Sequence, residues 1–413
     1  MVPAIGIIAD DFTGAVMVAG MLEGRGIAAP VLFHPGAATP PAGALVAATR
    51  CRTIAPAEAL TEIAVWHDAL TAAGCPRVAY KACASFDSTP HGNIGPAADL
   101  LSDRAGTHPV LMSAGFPRFG ATVHQGYLFY RGRLVSDSIK RLDPLTPMED
   151  PDLVRFLGRQ TPHPIGLISH LTLRQGRAAA ERALGELAAQ GMRHVLLDAS
   201  DDDDVALSAV IAAESNLPVV ASDPLIVELT ARLAGHAPAA PAPAQPGGAT
   251  VVLAGSTGPV VMAQLAAFAT RHPVLTLDLL DPRGAEGLVA PALEWAAAQA
   301  GPFAISTATD AAGLARSQGA FGAVGAARLA ETVLAGVARG LHAQGLRRFA
   351  VAGGETSGAI VAALGLRSAR ALPEGPLGLG PCLSGDDDPV WLFLKSGKLG
   401  SDDILLRAVA QDQ

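Results

Sequence analysis

The 413-residue sequence has few features of nucleic-acid-binding, membrane or disulfide-stabilised proteins. Acidic residues outnumber basic ones by 38 to 30, so the net charge of −8 provides no electrostatic footprint for nucleic acid or an anionic membrane. The four cysteines show no Cys-x-x-Cys spacing, which argues against a zinc site or a disulfide framework. No uncharged apolar run reaches the ~18–20 residues of a membrane span. We expect a cytoplasmic protein without nucleic-acid or membrane partners.

The common nucleotide-binding fingerprints are also missing. The sequence contains neither a Walker A motif nor the Gly-x-Gly-x-x-Gly pattern of dinucleotide-binding folds. A serine nucleophile elbow is absent from the glycine-rich segment 354–358, because Thr356 occupies its middle position. Any nucleotide or phosphate site must therefore use loops of a different pattern.

Apolar, β-branched segments alternate with alanine-rich segments along the whole chain, which predicts an α/β fold with a mostly parallel sheet and flanking helices in each of two domains. A proline-, alanine- and glycine-rich segment at 235–248 is typical of a linker. It separates a predicted first domain, 1–234, from a second, 249–413. Ligands are expected in the interdomain cleft, where the carboxyl ends of strands meet.

Three glycine-rich loops follow predicted strands of the second domain. They cover residues 255–258, 353–358 and 395–400. Small residues let backbone N–H groups approach a phosphate, and the helix N-terminus behind such a loop adds partial positive charge. Tight connections between strand and helix are the alternative interpretation. Convergence of three such loops on one sheet favours phosphate binding.

Polar residues of the first domain gather after predicted strands. Asp10 and Asp11 follow the strand at 5–9, Arg52 follows the strand at 45–48, and Lys81 ends the strand at 78–80. Asp87-Ser88-Thr89 then precedes Gly92-Asn93. Arg and Lys suit a carboxylate and Asp and Asn suit hydroxyls, so the set indicates a polyhydroxy acid. Helix capping by Asp11 is the alternative. The acidic run 201–204 is interpreted as the start of a helix.

These segments resemble a known family, the four-carbon acid sugar kinases. The matching motifs are Ile8–Ala15, Phe86–Thr89 with Gly92–Gly95, Gly353–Gly358 and Leu394–Gly397, in order over nearly the whole chain. Further segments, at 124–129 and 144–148, resemble the 3-oxo-tetronate kinases more than the threonate kinases.

The resemblance implies an N-terminal domain that binds the sugar acid, a C-terminal domain that binds ATP, and Mg²⁺-assisted phosphoryl transfer to the C4 hydroxyl. It implies a set of nucleotide contacts: Ser256, Gly353, Gly354, Glu355, Thr356 and Gly397. It implies a second set around the acid: Asp10, Asp11, Arg52, Lys81, Asp87, Ser88 and Asn93. One carboxylate would orient or deprotonate the hydroxyl, and the candidates are Asp11 and Asp87. A homodimer is allowed.

The chain departs from the family pattern at Ala221–Pro224, where relatives usually have Gly-Gly-Ser-Gly, and at Thr257-Gly258, Val261 and Lys398. Lys398 is interpreted as an extra phosphate contact. The preferred substrate is 3-oxo-tetronate, with D-threonate, L-threonate or erythronate as alternatives. Two other function classes stay open: an isomerase or lyase acting on a sugar phosphate, and a catalytically weakened relative that binds ligands.

Overall fold

The computed structural model describes residues 2–37, 41–143, 145–235, 244–385 and 388–410. The chain forms two compact units. The first consists of Met1–Pro30 with Ala38–Ala240, and the second of Val31–Ala37 with Pro241–Gln413. Residues 236–243 of the predicted linker and Pro144 of the 144–148 motif lie outside the described residues.

The strands, in chain order, are β1 (Ile5–Ala9), β2 (Val31–Leu32), β3 (Ala44–Ala48), β4 (Val78–Lys81), β5 (Val110–Ser113), β6 (Ala121–His124), β7 (Tyr127–Tyr130), β8 (Arg133–Leu134), β9 (Ile165–Ile168), β10 (His194–Leu197), β11 (Val219–Ala221), β12 (Val251–Ala254), β13 (Val274–Thr276), β14 (Phe303–Ser306), β15 (Arg348–Ala352), β16 (Ser368–Ala371), β17 (Pro381–Ser384) and β18 (Trp391–Lys395).

The α-helices are α1 (Phe12–Gly24), α2 (Pro56–Ala72), α3 (Ile94–Ala105), α4 (Leu153–Leu157), α5 (His170–Leu173), α6 (Arg177–Ala189), α7 (Asp202–Ser215), α8 (Asp223–Ala234), α9 (Pro259–Ala269), α10 (Gly284–Ala297), α11 (Ala311–Ala343), α12 (Gly354–Ala363) and α13 (Ile404–Ala410).

The first unit is built on a parallel sheet with the order β9-β10-β5-β11-β4-β1-β3. Strands β1, β3 and β10 are buried at every position, as expected for apolar strands covered by helices on both faces. A separate antiparallel sheet, β6-β7-β8, adds to this unit. The carboxyl ends of β3, β1, β4 and β11 are neighbours, so residues that follow these four strands come together.

The second unit places five parallel strands in the order β13-β14-β12-β15-β18. Antiparallel strands β17, β16 and β2 continue this sheet. Its core packs Trp391 and Phe393 of β18 against Val261 and Phe268 of α9 and Leu405 of α13. The loops after β12, β14, β15 and β18 therefore leave the same edge of one sheet.

One described helix, α11, is long and apolar enough to cross a membrane by length and composition alone. Its backbone is broken at Gly322, where φ is +71°. The half after this break buries Val333, Leu334 and Val337 in the second unit. This half of α11 is therefore a packing helix of the core.

The α/β fold, with mostly parallel main-sheet strands and flanking helices in each unit, confirms the class predicted from sequence. The prediction that the acidic run opens a helix is also confirmed, because Asp201 is the N-cap of α7 and accepts a hydrogen bond from the Asp204 amide. Asp11 caps α1 in the same way, accepting from the Gly14 amide. The sequence did not anticipate the β6-β7-β8 sheet or the assignment of Val31–Ala37 to the second unit.

Candidate active site

A buried ion-pair cluster lies at the carboxyl edge of the first unit's sheet. The Nε and one terminal nitrogen of Arg52 donate to the two carboxylate oxygens of Asp10, at 2.8 Å each. The same terminal nitrogen lies 3.0 Å from Asp11 Oδ1. Lys81, 2% exposed, places its Nζ 3.4 Å from Asp223 Oδ1. The structure thus brings together four predicted residues and Asp223, which the sequence interpretation did not include. We call these five residues the ion-pair cluster.

Gly14 shows how closely the cluster is packed. A Cβ built on this glycine would collide with the Lys81 ammonium and lie 2.5 Å from Asp11 Oδ1. The absence of a side chain in the first turn of α1 is what lets Lys81 reach the cluster. Glycine is therefore required at position 14 because a side chain would clash, and its φ lies in a region that other residues also adopt.

The charges of the cluster act on each other. Burial alone would raise the pKa of Asp11, but Arg52 and Lys81 outweigh it and hold that pKa below its ordinary value. Burial lowers the pKa of Lys81, yet Asp223, Asp10 and Asp11 together keep it raised. Burial raises the pKa of Asp223, and Lys81 compensates only in part. Lys81 faces three carboxylates whereas Asp223 faces one close cation, which explains the different outcomes for the two partners.

Three carboxylates against two cations leave the ion-pair cluster with an excess negative charge when all five groups are ionised. Such a cluster is a better receptor for the hydroxyls of a ligand than for a carboxylate. Buried polar atoms without a hydrogen-bond partner among the described residues lie nearby, including Thr13 Oγ1 and Asp223 Oδ1. Since buried polar groups are nearly always paired, these atoms indicate a ligand.

Asp87 belongs to a second ion pair. Its Oδ2 accepts from Lys140 Nζ at 2.8 Å, and its Oδ1 accepts from Ser85 Oγ at 2.7 Å. The thiol of Cys83 is near enough to both groups to be affected by each. Burial raises its pKa and Asp87 raises it further, while the charges of Arg52 and Lys140 oppose this. Asp87 is therefore close to the cluster but bound to its own cation, which the sequence did not reveal.

Ser88 and Asn93 are held by structural contacts. Gln160 donates from Nε2 to Ser88 Oγ at 3.1 Å, and its Oε1 accepts from the amides of Ile94 and Gly95 at the start of α3. Asn93 donates from Nδ2 to the carbonyls of Cys51, at 2.5 Å, and Ile54, at 2.9 Å. Asn93 Oδ1, buried and without a described partner, is the atom left for a ligand.

In the second unit the glycine-rich loops touch one another. A Cβ on Gly397 would collide with Ser256 Oγ, and one on Gly353 would lie 2.8 Å from Thr356 Oγ1. Gly353 has φ +138° and is the N-cap of α12. Both this backbone conformation and the lack of room for a Cβ require glycine. Glu355 lies in the first turn of α12. All six predicted nucleotide contacts thus stand on the adjacent loops after β12, β15 and β18.

Lys395 ends β18 beside these loops and is 4% exposed. Its Nζ donates to the carbonyl of Ser396 at 2.8 Å, and no carboxylate among the described residues forms an ion pair with it. Burial lowers the pKa of Lys395 to about 8. Thr307, after β14, is also buried and leaves its Oγ1 without a described partner. A buried cation without a counter-ion at a glycine-rich edge fits an anionic ligand.

A cavity of about 350 Å³ in the second unit is a different feature. It lies near Ala249, Phe303 and Leu346, at the amino ends of the strands, and its lining contains no titratable side chain. Ligand sites of parallel sheets form at the carboxyl ends, so the chemistry belongs to the loops described above.

The sequence interpretation missed four residues of these sites: Lys140, Gln160, Asp223 and Thr307. Lys140 and Gln160 lie in segments without a recognisable motif. Asp223 was noted only as part of a departure from a family pattern. Asp223 could have been identified from the sequence as a charged residue close after the apolar segment 219–221.

Both units match known proteins. A family model described as a sugar-binding N-terminal domain matches residues 5–228, and one described as a nucleotide-binding C-terminal domain matches residues 251–405. Proteins named 3-oxo-tetronate kinase are 37% identical in Burkholderia multivorans, over 98% of this chain and 97% of the relative, and in Methylobacterium radiotolerans, over 98% of each. A Salmonella typhimurium crystal structure gives a TM-score of 0.82 at 32% identity over 99% of both chains. A Haemophilus influenzae structure gives 0.72 at 28% identity over 99% of this chain and 100% of the other.

Proposed function

Because the chain belongs to the four-carbon acid sugar kinase family, we propose that its substrate is 3-oxo-tetronate. It has the sugar-binding N-terminal domain and the nucleotide-binding C-terminal domain of that family. It is a kinase of a four-carbon sugar acid. The reaction transfers the γ-phosphoryl group of ATP to the C4 hydroxyl and yields 3-oxo-tetronate 4-phosphate and ADP. The observation that carries the substrate proposal is the relatedness over nearly the full chain to curated 3-oxo-tetronate kinases.

We assign the sugar acid to the ion-pair cluster and its surroundings. Asp10 and Asp11, fixed by Arg52, would accept hydrogen bonds from the hydroxyls of the acid. Arg52 and Lys81 lower the pKa of Asp11 and so keep this buried carboxylate ionised. Pre-positioned acceptors of this kind align the reacting hydroxyl before transfer, and alignment supplies much of the catalysis in phosphoryl transfer.

We assign ATP to the loops after β12, β15 and β18. The amides at the start of α12 and the Lys395 ammonium would bind phosphate oxygens. Mg²⁺ takes oxygen ligands and commonly one or two carboxylates besides the phosphates. Glu355, in the first turn of α12, is the carboxylate among the predicted contacts, so this donor fits and would hold the ion. When bound, Mg²⁺ neutralises charge on the transferring group.

We propose a cytoplasmic location, which fits the four cysteines being free of disulfides. The homodimer stays a prediction. The small-molecule partners are the sugar acid and ATP.

The deciding experiment is an ADP-release assay with Mg·ATP against 3-oxo-tetronate, D-threonate, L-threonate and D-erythronate. We expect turnover to be fastest with 3-oxo-tetronate. An Asp87→Asn variant, which removes the charge that pairs with Lys140 beside the ion-pair cluster, serves as a control that should lose turnover. Faster turnover of another acid would replace the substrate but keep the reaction, while no turnover with thermal stabilisation by ATP intact would indicate a catalytically weakened relative.

A further inference from the structure

Asp223 is the first residue of α8, directly after β11, and it is 3% exposed. Its Oδ1 lies 3.4 Å from Lys81 Nζ but makes no hydrogen bond with any described residue. A buried carboxylate oxygen that has a cation at 3.4 Å but accepts no hydrogen bond of good geometry is incompletely satisfied, so its retention in a cluster that suits hydroxyls needs a cause. A hydroxyl donated by the ligand would satisfy this oxygen.

The two carboxylates that the sequence offered as bases have oxygens engaged by other groups, namely both oxygens of Asp87 and Oδ1 of Asp11. Asp11 Oδ1 accepts from the Gly14 amide at 2.8 Å and lies 3.0 Å from Arg52. Asp87 uses Oδ2 for Lys140 and Oδ1 for Ser85. A base needs a free lone pair directed at the proton it removes. Asp223 Oδ1 meets this condition better than the bound oxygens of Asp11 and Asp87.

We propose that Asp223 is the general base that removes the proton from the substrate hydroxyl during phosphoryl transfer. This inference rests on the kinase function proposed above. The hydroxyl proton passes to Asp223 Oδ1, and the hydroxyl oxygen forms the new bond to the γ-phosphorus. The bond between that phosphorus and the β–γ bridging oxygen breaks, and ADP leaves with the electron pair. Asp223 then releases its proton to solvent.

The surroundings of Asp223 suit this role. The groups that face it are Lys81 on β4 and Asp10 after β1, with Asp11 and Arg52 completing the cluster. Burial raises the pKa of Asp223, and Asp10 raises it further against the effect of Lys81. A base is most effective when its pKa approaches the working pH, so a raised value favours Asp223. The lowered pKa of Asp11 makes that carboxylate a weaker base.

The alternative is that Asp223 serves only as the counter-ion of Lys81 and as an acidic residue at a helix start. The two roles differ in what they change. A counter-ion affects the melting temperature and leaves the pH dependence of kcat as it was. A general base sets the acid limb of kcat, which falls as the pH drops through the pKa of Asp223.

The test uses the full chain, Mg·ATP and the acid that wild type turns over fastest. The variant is Asp223→Asn, which keeps shape and removes the basic oxygen. Asp203→Asn is the matched control, since Asp203 is an exposed carboxylate on the neighbouring helix α7 of the same unit. We expect Asp223→Asn to lower kcat by about 100-fold or more and to abolish the acid limb. Thermal stabilisation by the acid should persist, and Asp203→Asn should behave as wild type.

A kcat within about 3-fold of wild type, or residual activity with the acid limb unchanged, would overturn the assignment of Asp223 as base. If Asp223→Asn does not fold, Asp223→Ser replaces it with the same expectations, because serine is accepted at helix starts. If the wild-type protein turns over none of the acids, the kinase proposal itself is refuted. If the wild-type protein and the Asp223→Asn variant are both active, only the assignment of Asp223 as base is refuted.

Discussion

Arg52 binds Asp10 through two parallel hydrogen bonds of 2.8 Å, a bidentate pair that sets the position of both carboxylate oxygens. This geometry needs the planar fork of a guanidinium, which a lysine ammonium does not provide. The position of Asp10 is therefore coupled to the identity of residue 52.

Arg52→Lys should raise KM for the acid by about 10-fold, which corresponds to one lost charge-assisted hydrogen bond. KM for ATP should stay unchanged, because the site of ATP lies in the other unit. The measurement is steady-state kinetics with each substrate varied in turn. Arg104→Lys is the matched control: Arg104 also pairs with a carboxylate, Asp68, but on the exposed surface, where such a pair contributes little. Equal effects of the two substitutions would contradict the prediction.

Gly14→Ala should displace the Lys81 ammonium and disturb the ion-pair cluster. We expect a loss of about 1–3 kcal/mol in the free energy of unfolding, the usual cost of overpacking, together with weaker binding of the acid. Denaturant unfolding and calorimetric titration with the acid measure the two effects. Gly185→Ala is the control, since this exposed glycine of α6 has no heavy atom near its Cβ position and alanine there should stabilise slightly. Normal acid binding by Gly14→Ala would show that the Lys81 position is not needed.

Lys395→Met should weaken ATP binding, and the affinity of the variant for ATP should no longer change with pH near pH 8. In the free protein burial lowers the pKa of Lys395 to about 8, so the ammonium loses its proton as the pH rises through this value. Wild type should then bind ATP more weakly above pH 8 and take up a proton on binding near that pH. Calorimetric titration with ATP between pH 7 and pH 9.5, in buffers of different ionisation enthalpy, detects both effects.

Arg271→Met serves as the control for Lys395, because Arg271 is an exposed cation at the end of α9 in the same unit. It should leave the affinity and the proton uptake at the wild-type values. The same proton uptake in Lys395→Met as in wild type would assign the titration to another group.

Lys398→Ala should raise KM for ATP if this half-buried lysine, three residues after Lys395, contacts a phosphate. The increase should be smaller than for Lys395→Met, since a more exposed charge is better screened by solvent. Kinetics with ATP varied at saturating acid measure it. An unchanged KM would exclude a phosphate contact by Lys398.

The sequence predicted the features of the fold that local patterns determine. Uninterrupted apolar runs such as 110–112 and 195–197 are strands, because a parallel sheet buries both faces. Asp11 and Asp201 cap helices, because a carboxylate can accept from amides two or three residues later. The short antiparallel strands β16 and β17 escaped prediction, since two four-residue segments carry too little periodicity to be distinguished from loops.

The candidate sites were predictable where residues follow strands and unpredictable where a partner comes from a distant segment. Asp10 follows β1, Arg52 follows β3 and Lys81 ends β4, so sheet topology alone brings them together. Lys140 reaches Asp87 across 53 positions in the sequence, and neither residue indicates the other. Ion pairs of this kind depend on the tertiary fold, and they cannot be predicted from a single sequence.

The chain contains only four lysines, and each belongs to a candidate site or its border: Lys81, Lys140, Lys395 and Lys398. Three of them are buried, so the exterior of the protein offers almost no primary amines besides the N-terminus. Lysine-selective isotope labelling would therefore produce a spectrum in which every side-chain signal reports on ligand binding, two from the sugar-acid region and two from the nucleotide loops. The same scarcity allows an amine-directed acylating reagent to serve as a footprint of ATP occupancy, with Lys398 as the most accessible target.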